Sequence, residues 1–312
     1  MCGIAGAVAN GKSKITIKNL KRMASGIVTR GRHAYGVAWI GSDNRVRMHK
    51  WSGAITENLE VFDRMVGAKA VIMHTRWATH GNAEANENNH PHPVDGGWLV
   101  HNGQIPNYEE LIDDFDLLNS SECDSEVLGL LMTEFRGTIL ERAKTTIDLC
   151  AHDRPLCMAA LLPNPTRLVI AKRGNPLFVS VGSSGNLYFS SCVEGLPKNA
   201  RPMEENTIFC HTLSRRNQSR SQSSHLTLEP FIETGVKVAG SGGTMATGEC
   251  DLADDDLWTT EDSDRWSEVE AEQGTARADA LRHLANRTGT LPILTRDEGM
   301  RKQRRIHIPR NG

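Results

Sequence analysis

Apolar residues along this chain come in two rhythms. Residues 3–9 are an unbroken small and apolar run, which predicts a buried strand. Ile17, Leu20, Ala24, Ile27 and Val28 then recur at helical spacing, and a polar loop from Thr29 to Gly36 follows. Residues 37–40 and 45–50 predict a hairpin around Gly41-Ser42-Asp43-Asn44. Leu59, Phe62, Met65 and Val66 predict a second helix with Thr56 as its N-cap. A short β-type run at 70–73 leads into His74-Thr75-Arg76-Trp77-Ala78-Thr79-His80-Gly81, and a polar loop spans 82–95. Another strand at 98–100 ends in His101-Asn102-Gly103. Helical spacing returns at 108–115, 125–135 and 138–149. Five strand-like runs then crowd together, at 156–162, 168–171, 177–181, 187–190 and 207–211. Strands, then helices, then strands predict layered sheets covered by helices, not alternating βαβ units.

The rhythm stops near Ser214. Residues 214–224 are polar and low in complexity and read as a linker. An acidic stretch at 251–272, containing Trp258 and Trp266, and a basic stretch at 301–310 follow. The expected organisation is one domain over 1–213 and a linker with a polar tail over 214–312, suited to docking a partner. A net charge of -2 calls for no polyanionic partner, so direct nucleic-acid binding is not indicated. Seven scattered cysteines without a Cys-x-x-Cys pair point to free thiols in a reducing compartment. Neither an apolar stretch of about 20 residues nor a leader pattern is visible, so no membrane contact and a cytoplasmic location are expected.

Chemistry gathers at the start. Met1 precedes a small residue, so its removal would leave Cys2 with a free α-amine beside its own thiol. An α-amine has a pKa of about 7.7–8.0 and suits a general base at neutral pH. A nucleophile and its base would then share one residue. The plainer reading is a buried cysteine opening a strand. Arg76 and Asp124, taken singly, could be surface charges, and Asn102-Gly103 a turn. His74, His80, His90, His92 and His101 match no zinc spacing, so neither metal nor cofactor is expected.

Together, Met-Cys-Gly-Ile-Ala-Gly at 1–6, the His-Thr-Arg-Trp-Ala-Thr-His-Gly and His-Asn-Gly segments, and the residues around Asp124 resemble a class II glutamine amidotransferase. This is an N-terminal-nucleophile hydrolase family, and the likeness is in particular to the glutaminase domain of glucosamine-6-phosphate synthase. Arg173-Gly174-Asn175-Pro176-Leu177 is similar to a later family segment, and the likeness covers about 1–213. It implies an α+β fold, a four-layer αββα sandwich with Cys2 at the end of a central strand. It also implies hydrolysis of free glutamine to glutamate and ammonia through a Cys2 thioester. Asn102 and the Gly103 N–H would form the oxyanion hole, Arg76 would hold the α-carboxylate and Asp124 the α-ammonium. Trp77 would close over the substrate, with Thr79 and His80 lining the pocket.

Two departures stand out. Arg30-Gly31-Arg32-His33-Ala34 lacks the acid and hydroxyl of the family's Arg-Gly-x-Asp-Ser. The roughly 100 residues after 213 are also too few and too polar for sugar-phosphate domains. A faint phosphate-loop likeness at 236–244 lacks the Asp-Ser that should follow it, and reads as a flexible glycine-rich loop. The expectation is therefore a glutaminase subunit feeding a separate synthetase. The alternative is a catalytically silent regulatory or binding protein on the same fold.

Overall fold

Every residue of the opening apolar run is buried, because it forms the middle strand of a sheet covered on both faces. The structure, a computed structural model, describes residues 2–10, 13–78, 82–150, 154–213 and 222–228. In chain order the strands are β1 (Gly3–Val8), β2 (Ala34–Ile40), β3 (Val46–Ser52), β4 (Ala70–Arg76), β5 (His92–Val94), β6 (Gly97–Gly103) and β7 (Leu156–Leu162). They continue with β8 (Arg167–Arg173), β9 (Phe178–Val181), β10 (Leu187–Ser190), β11 (Arg201–Pro202), β12 (Thr207–Thr212) and β13 (Gln222–Thr227). The α-helices are α1 (Ile17–Ile27), α2 (Tyr108–Asp114), α3 (Glu126–Glu134) and α4 (Ile139–Cys150).

One sheet has the order β11-β9-β10-β1-β4-β2-β3 and the other β13-β12-β8-β7-β6-β5. Neighbouring strands run antiparallel in both. Side chains alternate across a strand, so each face of β1 has its own partners. Ala5 and Ala7 pack with Leu20, Met23, Ala24 and Ile27 of α1 and with Phe62 and Met65. Ile4 and Val8 point the other way, against Val100 of β6, Cys157, Ala159 and Leu161 of β7, and Leu168 and Ile170 of β8. On the far side of the second sheet α3 packs on β5 and α4 on β12. The result is the expected α-β-β-α stack. Each fully buried Ile, Leu or Phe stabilises it by about 1.5–3 kcal/mol, and truncating one such as Ile72 between the sheets costs about 2–5 kcal/mol.

Besides the short β11 and an earlier start of β2 at Ala34, three elements differ from the sequence expectation. The second helix is a pair of 3-10 segments over Ile55–Met65, broken at Asn58 (φ -134°, ψ 39°) and preceded by Ala54, not capped by Thr56. Its buried set includes Ile55 and Val61, six positions apart, which fits no single helical stripe. Val66 leaves the segment in extended conformation and is exposed. Strand β5 lies inside the stretch read as a polar loop, and at three residues with a central proline it is too short to show alternation. Strand β13 falls where a linker was read, pairing with β12 from Thr207↔Thr227 to Thr212↔Gln222, so the second sheet continues past Leu213. The remainder of 214–312, with the glycine-rich loop, Trp258 and Trp266, lies outside the described residues. No helix of the described residues is long and apolar enough to cross a membrane.

Candidate active site

Alternation along three strands aims their polar ends into one place. On β4, Val71 and Met73 face α1, while Ala70 and Ile72 face the gap between the sheets. His74 and Arg76 continue the gap-facing set by the two-residue period. On β6 the gap-facing Val100 is followed by Asn102. Cys2 stands two residues before gap-facing Ile4. The sheets are tied there by His74 Nε2, which lies 3.1 Å from the main-chain oxygen of His101.

Cys2 is partly buried, and its thiol meets the main chain of Trp77 on both sides. The Trp77 N–H donates to Sγ at 3.4 Å, and Sγ donates to the Trp77 carbonyl at 3.6 Å. Arg30 Nε donates to the Cys2 carbonyl at 3.0 Å, fixing the residue from behind. Burial pushes the thiol above its ordinary range; the Trp77 hydrogen bond, the chain's amino terminus and the Arg76 charge pull it down, and Asp124 pushes it up. Attack at neutral pH therefore needs a base to take the thiol proton.

Trp77 is 48% exposed, and its ring lies 4.8 Å from that of His33. The Ala78 N–H donates to His33 Nδ1 at 3.0 Å. His33, where the family has its acid, thus anchors the loop over Cys2. Gly31 lets that loop approach: a Cβ there would meet the Arg76 carbonyl oxygen at 2.7 Å and the Trp77 nitrogen at 2.7 Å.

Arg76 is buried at the end of β4, and its Nη1 donates to Asn89 Oδ1 at 2.7 Å. Asn102 is 2% exposed, and its side-chain Nδ2 has no hydrogen-bond partner among the described residues. A buried amide donor normally finds a partner, so this one suits a ligand oxygen. Gly103 follows, where a Cβ would lie 2.6 Å from His101 Nε2 and 2.9 Å from the Pro155 carbonyl oxygen. Asp124 Oδ2 accepts the Ile105 N–H at 2.8 Å, and Oδ1 accepts from Ser125 Oγ at 3.2 Å. Asp124 and Arg76 both act electrostatically on the Cys2 thiol. The structure thus gathers Cys2, Arg76, Trp77, Asn102, Gly103 and Asp124 at one end of the gap. Thr79 and His80 lie outside the described residues.

No family model matches the chain. Glutamine–fructose-6-phosphate aminotransferase [isomerizing] of Bacillus thuringiensis subsp. konkukian is 34% identical over 201 residues, covering 62% of this chain and 32% of that protein. The enzyme of the same name from Corynebacterium diphtheriae is 32% identical over 267 residues, covering 78% of this chain and 41% of its own length. The chain spans about a third of the first of these relatives. Among solved structures, the allosteric regulatory enzyme of purine biosynthesis shares the fold with a TM-score of 0.54 at 20% identity, covering 73% of this chain and 50% of that one. The glutamine phosphoribosylpyrophosphate amidotransferase of B. subtilis does so at 0.53 and 20%, covering 72% and 49%. The chain carries a class II glutamine amidotransferase domain.

Several residues that organise the amidotransferase domain were given no such role by the sequence. Asn89 holds Arg76 and also donates to the Ala83 carbonyl at 2.7 Å, which orders the loop between residues 83 and 89. Glu126 is 2% exposed and accepts from the N–H and hydroxyl groups of both Ser120 and Ser121, setting the turn that presents Asp124. Only the S-S-x-x-x-x-E spacing hinted at this. His101 Nδ1 lies 2.8 Å from Ser125 Oγ, tying β6 to the start of α3.

Among the described residues, His90, His92 and Cys123 could hold a metal ion, with ligand atoms all within 4.8 Å of one another. The hydrogen bonds of His90 and Cys123 favour a neutral, proton-bearing use for these two. His90 Nδ1 accepts the His101 N–H at 3.4 Å, which leaves the ring proton on Nε2, facing Cys123 Sγ at 3.9 Å. Burial first, then Lys50, neighbouring histidines and Arg76, holds His92 well below its usual range. Burial likewise lowers His90 well below that range, His101 to about 4 and His74 to about 3. Burial also pushes the Cys123 thiol up to about 12.

Proposed function

We propose that this domain hydrolyses free glutamine to glutamate and ammonia through a Cys2 thioester, and that a synthetase on a separate chain takes the ammonia. The observation that carries the reading is Asn102 Nδ2, without a hydrogen-bond partner among the described residues and buried at the same end of the gap as the Cys2 thiol. A free α-amine on Cys2 takes the thiol proton as sulfur bonds to the side-chain carbonyl carbon of glutamine. The carbonyl oxygen becomes an oxyanion, which Asn102 Nδ2 and the Gly103 N–H are suited to accept. The C–N bond breaks, the amine returns its proton to the leaving nitrogen, and ammonia departs. Water then adds to the thioester carbon, the C–S bond breaks, and glutamate and the thiol are restored. Arg76 suits the α-carboxylate as a forked cation and Asp124 the α-ammonium. Reading both ends confines the site to the free amino acid.

The test is glutamate formation by purified protein, with intact mass confirming that Met1 is absent. Cys2→Ala should abolish turnover and leave the fold intact by circular dichroism. A glutamine-analogue electrophile should label Cys2 alone. Labelling of Cys123, Cys150 or Cys192 would overturn the assignment, as would turnover by protein that retains Met1.

A further inference from the structure

The Asn102 carbonyl and the Gly103 N–H are the two ends of one planar peptide unit. Fixing the direction of the oxygen therefore fixes the direction of the N–H. That oxygen accepts a hydrogen bond from Asn175 Nδ2 at 2.8 Å, and the same amide nitrogen lies 3.4 Å from the Pro155 carbonyl oxygen. One side chain thus clamps the last residues of β6 to the approach of β7, where Gly103 already packs against Pro155.

Asn175 is itself held in place. It lies in the crossover from β8 in one sheet to β9 in the other, and it is 9% exposed. Its main-chain carbonyl accepts the Cys157 thiol at 3.1 Å, and Cys157 is the cross-strand partner of Asn102. The residue before it, Gly174, takes a positive φ of 82°, and its N–H donates to Glu205, which also binds Lys172. A donor anchored on both sides can resist rotation of the peptide it binds. The contact is to the main chain, so it survives any change in the Asn102 side chain.

We propose that Asn175 is a positioning residue for the oxyanion hole, acting by locking the Asn102–Gly103 peptide so that the Gly103 N–H stays aimed at the developing oxyanion. It touches no reacting atom. The proposal rests on the glutaminase reading above. A donor that must be aimed in advance matters more in the transition state than in substrate binding, so its loss should appear in turnover.

The experiment uses full-length wild type, Asn175→Ala and Asn175→Leu, the second keeping the side-chain volume. Steady-state glutamine hydrolysis should show kcat lowered about ten- to a hundredfold, short of the roughly hundred- to thousandfold loss of a whole oxyanion donor. KM should change by less than about twofold, as expected when only transition-state contacts weaken. The aldehyde analogue of glutamine, glutamate γ-semialdehyde, adds to Cys2 as a thiohemiacetal whose oxygen occupies the same hole. Its affinity should fall by the same factor as kcat/KM. Alkylation of Cys2 by iodoacetamide forms no oxyanion and should keep its wild-type rate, which separates loss of aim from loss of fold. Unchanged kcat in both variants, a KM effect alone, or parallel slowing of alkylation overturns the positioning role while leaving the glutaminase reading standing. A wild type that neither turns over glutamine nor binds the aldehyde overturns that reading, and this proposal with it.

Discussion

Arg76 is the last residue of β4 and Asn102 the second-last of β6, yet their environments assign them different energies. Arg76 is pre-oriented by Asn89 and presents a permanent charge, which the carboxylate of the proposed substrate would meet equally in ground and transition states. Arg76→Lys and Asp124→Asn are therefore expected to raise KM for glutamine about tenfold or more with little change in kcat. Asn102 offers a donor with no partner among the described residues, so Asn102→Ala should lower kcat about 10²–10³-fold. Steady-state kinetics decide, and the reverse split would mean that the roles are exchanged. Cys2, Arg76 and Asn102-Gly103 were legible in the sequence because their motifs are contiguous. Asn89 lay in no motif, and His33 and Asn175 lay in quoted segments without a role, since each acts on main chain or on a partner across the fold and no local spacing encodes that.

At the scale of elements, α3 begins on a carboxylate that works outward, not along the helix. Glu126 gathers four donors from Ser120 and Ser121 and so fixes the turn carrying Asp124. Glu126→Ala leaves buried donors unpaired and should cost about 3 kcal/mol, read as a lower urea midpoint. It should also raise KM for glutamine, because Asp124, the proposed ammonium partner, drifts with its turn. A drop in stability with unchanged KM would show that the turn holds Asp124 without Glu126. Long periodic elements were readable from pattern: β1, α1, β7 and α4 bury one consistent face or both. The segment Ile55–Met65 was misread because its buried residues follow the shape of the sheet edge, not a helical period. Strand β13 was misread because an outer strand of polar residues looks like a linker until its partner is known.

For the whole molecule, the buried histidines set an acid limit. His74, His90, His92 and His101 are held below the ordinary value near 6.5, all by burial first. The unfolded chain takes up protons as pH falls through about 6.5, while the folded domain does not until about 4 for His101 and about 3 for His74. Stability is therefore full above about pH 6.5 and is lost downward through that window, by about 1.4 kcal/mol per pH unit for each histidine involved. Urea midpoints at pH 7, 6 and 5 should fall progressively, and His92→Gln should flatten the slope by one proton. A midpoint independent of pH over this range would contradict the burial of these rings.

Cys2 and Arg76 ride on one sheet and Asn102 and Gly103 on the other, so on the proposed reading the nucleophile and carboxylate anchor face oxyanion donors from a different sheet. The reaction centre is thus an alignment between two plates held together by an apolar filling and the His74–His101 bridge. A slip of half an ångström between the plates would leave every hydrogen bond within each sheet intact and still spoil the aim of attack. Packing far down the gap becomes a tuning screw for turnover. Leu161→Ala, remote from every reacting atom, should lower kcat even at temperatures where the domain remains fully folded.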